Sequence, residues 1–214
     1  MQGMEGPVPF FFGGRLCLDF VNTVNSRSCP ATKDYLPDYS SLAGWCRQTG
    51  ALDAPVLSGL EAHAASEPAA AAAAHGEAVA LREALYRVFR AVIAGSHSPP
   101  PDLALLNQWL REARSRQVLA EQAAGFEWRW EHLRRELRAP LMAVAVSAGA
   151  LLCDDLKRLK DCPGPEGCGW LFYDGTKNNS RRWCSMDHCG GAAKARRYAA
   201  RHGGAVSDRK SEAG

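Results

Sequence analysis

Four cysteines at short spacing near one end of the sequence constrain this chain more than any other feature in it. Cys162 and Cys168 form a C-x5-C pair, Cys184 and Cys189 form a C-x4-C pair, and fifteen residues separate the two pairs. Brought together, they offer four soft thiolates, the donor set that suits tetrahedral Zn2+ in closed structural sites. Pro163, Gly164, Pro165 and Gly167 predict a tight loop that turns the first two sulfurs inward. Gly169–Asp174 (GWLFYD) predicts a strand, residues 175–180 (GTKNNS) a polar turn, and Arg181–Trp183 a returning second strand. The second pair then falls in a turn and in the first turn of an alanine-rich helix. Knuckle, hairpin and helix in that order predict a small treble-clef-like zinc finger over residues 157–203. Trp170, Phe172 and Trp183 make only a small core, so the metal is expected to supply much of its folding free energy. Four protein sulfurs leave no open position for water, which favours structural over catalytic Zn2+. His188, beside Cys189, is the one competing ligand.

The helix after Cys189 places Lys194, Arg197, Tyr198 and Arg201 at i, i+3, i+4 and i+7, with Arg196 off that line. A basic stripe of this kind can neutralise phosphates or read base edges. Arg181 and Arg182, with Lys177 and its neighbouring asparagines, could add backbone contacts from the hairpin. The competing reading is a solvated helix whose arginines pair with acids elsewhere in the chain. Charge is divided unevenly enough to bear on this. Residues 157–214 hold twelve Lys/Arg against six acids, and the remainder fourteen against seventeen. A basic module on an acidic body points to an anionic partner for that module.

Ahead of the cysteines the pattern is helical, so the fold class expected is mainly α: a helical domain over 1–156 with one small β-hairpin, then the finger, then a flexible tail over 204–214. In Arg15–Ser26 (RLCLDFVNTVNS), Cys17, Phe20, Val21 and Val24 form an apolar helical stripe, and Asp19, Asn22, Thr23 and Ser26 repeat the spacing on another face. Ser40 or Ser41 is expected to cap a helix running to Thr49 and stopped by Gly50. Further helices are expected over Val56–Ser66, Glu77–Ala94 with its arginines opposite the buried stripe, Asp102–Arg114, and from Pro140 to about Asp155. Between the last two, Phe126, Trp128 and Trp130 alternate with charged residues, predicting a strand with one aromatic face and a partner over Gln117–Ala120.

Asp19 and Asn22 share a face within a very apolar segment, and two readings stay open for them. They could floor a small-molecule pocket walled by Trp45, Trp128 or Trp130. They could instead belong to a solvated face or to a buried network holding loop backbone. Evidence for an enzyme is thin: HExxH, GxSxG, a phosphate loop and a dinucleotide fingerprint are all missing. The remaining cysteines, Cys17, Cys29, Cys46 and Cys153, are expected to be buried small hydrophobes. No apolar run reaches transmembrane length, and residues 8–12 lack the basic flank of a signal peptide. A cytoplasmic setting with reduced thiols, and no membrane partner, is the expectation.

Leu16–Thr23 (LCLDFVNT) and the finger together resemble the bacterial family that joins an N-terminal ABATE domain to a C-terminal CGNR zinc finger. The finger carries the longer match: Cys168-Gly-Trp-Leu-Phe, Asp174, Lys177-Asn178, Ser180 to Met186, Cys189-Gly190 and Lys194 to Tyr198. The resemblance implies a stress-responsive transcription regulator, its finger on DNA and its helical domain sensing a small-molecule effector or partner. Where the family reads Cys-Gly-Asn-Arg, this chain reads Cys189-Gly190-Gly191-Ala192. A small-molecule-binding protein or enzyme with a purely structural finger is the alternative.

Overall fold

The computed structural model describes residues 11–25, 27, 33–164 and 168–202. Cys29 and the tail expected over 204–214 lie outside the described residues, as does Ser26. Among the described residues the chain is mainly helical, with seven α-helices and two separate two-stranded antiparallel hairpins. No helix among them is long and apolar enough to cross a membrane.

Helix α6 (Ala139–Leu152) is the axis of the body. Ala139, Leu141, Met142, Val144, Ala145, Ala148 and Leu151 are all buried, because α1 (Leu16–Val21), α4 (Pro68–Ile93) and α5 (Pro100–Ser115) pack around it. Each fully buried Leu or Val there contributes about 1.5–3 kcal/mol. Helix α4 joins the alanine tract 69–74 to the stripe of 77–94 without a break. Alanine has the highest helix propensity, and Gly76 sits where nothing crowds it. Helix α2 (Tyr39–Thr49) begins earlier than expected: Asp38, not Ser40 or Ser41, is its N-cap, accepting the Ser41 N–H. Gly50 ends the helix at φ 65°. Helix α3 (Ala54–Ser66) is capped in the same way by Asp53.

Three features of the body differ from expectation. Helix α1 stops at Val21 because Asn22 and Thr23 turn their polar atoms toward other parts of the chain. Arg82, expected on the exposed side of α4, is only 3% exposed. Its guanidinium donates to both Asp34 oxygens at 2.8 and 2.6 Å and to Thr23 Oγ1 at 3.2 Å, a pairing that makes burial of the charge tolerable. Cys153, expected in the core, is exposed, since it lies past the last buried turn of α6 as its C-cap. Cys17 and Cys46 are buried as expected. Burial pushes both thiols up to about 12, so neither is a nucleophile near neutral pH.

Strands β1 (Gln117–Gln122) and β2 (Gly125–Trp130) pair as the alternation predicted. Their aromatic face, however, walls no pocket with Trp45. Phe126 and Trp128 are 69% and 58% exposed, while Trp45 is buried in the core beside Phe20.

The second hairpin joins β3 (Leu159–Asp161) to β4 (Leu171–Tyr173). Residues 181–183 do not return as its second strand. Lys160 and Phe172 are paired instead, and the far edge of β4 receives the N-terminal segment, where the Tyr173 N–H donates to the Gly13 carbonyl at 2.8 Å. Side chains alternate across β4. Leu171 and Tyr173 enter the body core, whereas Phe172 joins Trp170, Cys162 and Cys184 in a second, smaller core.

Candidate metal centre and basic helix

Two chain segments bring the four cysteines together. Cys162 follows β3 directly, its N–H held by the Trp170 carbonyl at 2.8 Å. Cys184 stands just before, and Cys189 within, a single π-turn, Met186–Gly190, that feeds straight into α7 (Gly191–His202). Ser185 opens that turn by accepting the His188 N–H, and its hydroxyl lies 3.1 Å from His188 Nδ1. His188 therefore stands outside the sulfur cluster.

The sulfurs of Cys162, Cys168, Cys184 and Cys189 all lie within 4.8 Å of one another. Tetrahedral zinc with bonds of about 2.3 Å sets its sulfurs about 3.8 Å apart. Cys168–Cys184 at 3.8 Å and Cys184–Cys189 at 3.5 Å meet that requirement. The backbone is shaped to the same end. A Cβ placed on Gly164 would stand 2.6 Å from Cys168 Cβ and 3.0 Å from Cys189 Sγ. The Cys184 N–H points at Cys162 Sγ from 3.3 Å, a donor that steadies a thiolate ligand. The four cysteines can hold a zinc ion, and with four protein sulfurs such a site is structural. Gly164→Ala is expected to lower zinc affinity while leaving all four ligands in place, as measured by competition with a chromophoric chelator.

A buried polar knot braces the finger behind the sulfurs. Asp174 is fully buried and accepts from Lys160 Nζ at 2.7 Å, from the Thr176 N–H and hydroxyl at 2.9 and 2.6 Å, and from the Arg181 N–H at 2.7 Å. Burial alone raises its pKa, but Lys160 and Thr176, with the Arg181 N–H, hold the carboxyl well below the usual range. No role was read for Asp174 in the sequence. An Asp two residues before a Thr, just after a strand, is the Asx-turn signal that could have found it.

Arg181, expected on nucleic acid, has its guanidinium turned into the chain. It donates to the carbonyls of Trp183 at 3.0 Å, Phe12 at 2.8 Å and Cys184, and it lies over the Phe172 ring. Arg182 is exposed. Along α7 no residue is buried: Lys194, Arg196, Arg197 and Arg201 all face solvent, and Tyr198 is 66% exposed. Lys194, Arg197 and Arg201 make no ion pair among the described residues; together with Tyr198 and His202, whose rings stack, they line a shallow groove of about 260 Å3. Gly191 and Ala192 are exposed at the entry to this helix. Gly190, by contrast, is pressed against Met186 and Trp183: a Cβ there would stand 3.0 Å from Met186 Sδ and 3.2 Å from Trp183 Cδ1. The departure from Cys-Gly-Asn-Arg thus changes an exposed surface and spares the sulfur cage.

Asp19 and Asn22 both hold backbone of other segments. The Asn22 amide donates to the Leu171 carbonyl at 2.8 Å and accepts the Leu171 N–H at 2.9 Å, so one buried side chain grips both backbone groups of a β4 residue. Asp19 accepts the Gly13 N–H at 2.8 Å, and Gly13 in turn accepts from Tyr173. Burial pushes the Asp19 carboxyl up to about 6, against the Gly13 N–H and the Arg181 charge, which both lower it. Thr23 holds Arg82, and the Trp170 indole donates to the Val24 carbonyl at 3.1 Å. The polar face of the first helix is thus the seam between body and finger.

No curated protein matches the chain. Residues 14–155 match the family model ABATE, described as "putative stress-induced transcription regulator", and residues 158–202 match the CGNR zinc finger.

Proposed function

Because the chain belongs to the ABATE family and ends in a CGNR zinc finger, we propose that it is a DNA-binding regulator whose finger contacts DNA through α7. One observation carries this reading above the others: a helix without a single acid and without a buried residue, whose Lys194, Arg197 and Arg201 have no acidic partner among the described residues. The solvated-helix alternative required those cations to pair with the body. Arg182 and Arg196 are two further exposed cations of the finger. Arg181 contributes from behind, by fixing the backbone around Cys184.

The helical domain would receive the signal. A cleft of about 510 Å3 opens between α2, α3 and α4, lined by Tyr39, Ala43, Ala64, Ala71 and His75 among others. Apolar walls with few polar groups suit a small organic effector. The route to the finger would be short, since the Asn22 and Asp19 contacts join α1 and its flanks directly to β4 and its edge.

Arg197→Ala/Arg201→Ala, with zinc content unchanged, is expected to lose affinity for genomic DNA fragments. Its plot of log affinity against log salt should be shallower by about two, one for each phosphate contact removed. Equal affinity and equal slope for variant and wild type would count against the reading.

A further inference from the structure

The ribbon of β1 and β2 is the most conspicuous feature that the DNA reading leaves unused. It packs chiefly on itself, and it exposes Leu119 and Trp128, which face each other across the ladder, together with Phe126. An isolated two-stranded ribbon is marginal in water, and an open strand edge beside exposed aromatics is a template for pairing.

The hydrogen-bond phase of the ladder shows which groups are open. The Glu131 N–H donates to the Arg116 carbonyl, one residue beyond the Gln117–Trp130 pair. Bonded and non-bonded pairs alternate along an antiparallel ladder. Val118–Arg129, Ala120–Glu127 and Gln122–Gly125 are therefore the bonded pairs. The N–H and C=O groups of Phe126, Trp128 and Trp130 point outward from the free edge of β2.

The sequence of that edge is Phe126-Glu127-Trp128-Arg129-Trp130. It is complementary to itself when run antiparallel about Trp128. Trp128 then meets the partner's Trp128, and Phe126 meets the partner's Trp130, each through its outward backbone groups. Glu127 falls opposite the partner's Arg129, and Arg129 opposite the partner's Glu127. These are the non-bonded positions, where facing side chains come closest. Within one chain the two side chains already lie together on this face, Arg129 Nε standing 2.6 Å from Glu127 Oε1.

We propose that β2 is a homodimerisation edge: two copies of the chain pair β2 to β2 about a two-fold axis through Trp128, forming a continuous four-stranded sheet. The interface is isologous, so it closes at two copies. Opposite charges are matched across it and aromatics are paired on the other face. It stands independently of whether α7 binds DNA.

Glu127→Arg places like charges at both facing positions of the homodimer, and so does Arg129→Glu. Either variant should weaken self-association about tenfold or more. An equimolar mixture of the two restores complementarity, as does the double variant Glu127→Arg/Arg129→Glu. The measurement is sedimentation velocity on the full zinc-loaded chain over a concentration series. Expected are a dimer for wild type, monomer for each single variant, heterodimer for the mixture and dimer for the double variant. A monomeric wild type, single variants that dimerise as wild type does, or a mixture or double variant that stays monomeric would each overturn the proposal.

Discussion

Cys184→Ser is expected to purify with no zinc and with a collapsed finger. Cys162→Ser should do the same, because both sulfurs are buried in the smaller core. The site is expected to contribute on the order of 10 kcal/mol, as structural zinc does in isolated finger peptides. Trp170, Phe172 and their few neighbours cannot replace that. Elemental analysis gives the metal content, and limited proteolysis after Cys162 gives the loss of structure. Damage should also reach the body. Leu159, Leu171 and Tyr173 belong to the large core, so thermal unfolding of the helices should move to lower temperature as well. Full zinc retention by both serine variants would remove the metal assignment.

The second large effect is expected from a residue that touches no metal. Asn22→Ala leaves the Leu171 N–H and C=O buried with nothing to bond on that side. Each orphaned group costs about 1–3 kcal/mol, so the variant should lose roughly 2–6 kcal/mol in chemical denaturation. Zinc stoichiometry should be unchanged. Asn22→Asp separates this role from mere volume: a carboxylate can accept the Leu171 N–H but cannot donate to its carbonyl, so the near-isosteric change should also destabilise. If Asn22→Asp matched wild type in stability, the two-sided grip would not be what holds β4.

Much of this architecture is legible in the residues. The zinc ligands follow from spacing and sulfur alone, and the stripe of α4, the alternation of β2 and the stop at Gly50 are local patterns with local causes. What escapes local reading is any contact between distant residues. Asn22 reaches Leu171 across 149 positions and Arg181 reaches Phe12 across 169. A short apolar helix with two polar residues on one face looks the same whether that face meets a ligand, solvent or a strand. Arg82 was misplaced for a related reason. Periodicity assigns an arginine to the wet side of a helix, and only the position of Asp34 and Thr23 shows that α4 has a polar side in the interior. Arg181 and Arg182 are adjacent in sequence and alike in charge, yet one braces the finger from within and the other faces solvent.

The seam between body and finger also fixes an order of events in making the molecule. Phe12 and Gly13 are made well before their partners, Arg181 and Tyr173, which follow about 160 to 170 positions later. The helical body can therefore begin to pack while its first strap and the Asn22 amide still lack anything to hold. Closure waits for β4, and contacts of such long sequence separation form slowly. Until then, the side of α1 that meets β4 stays open to water. For this protein, a shortage of zinc during synthesis would be felt first at Phe12 and Gly13, far from the sulfurs in sequence.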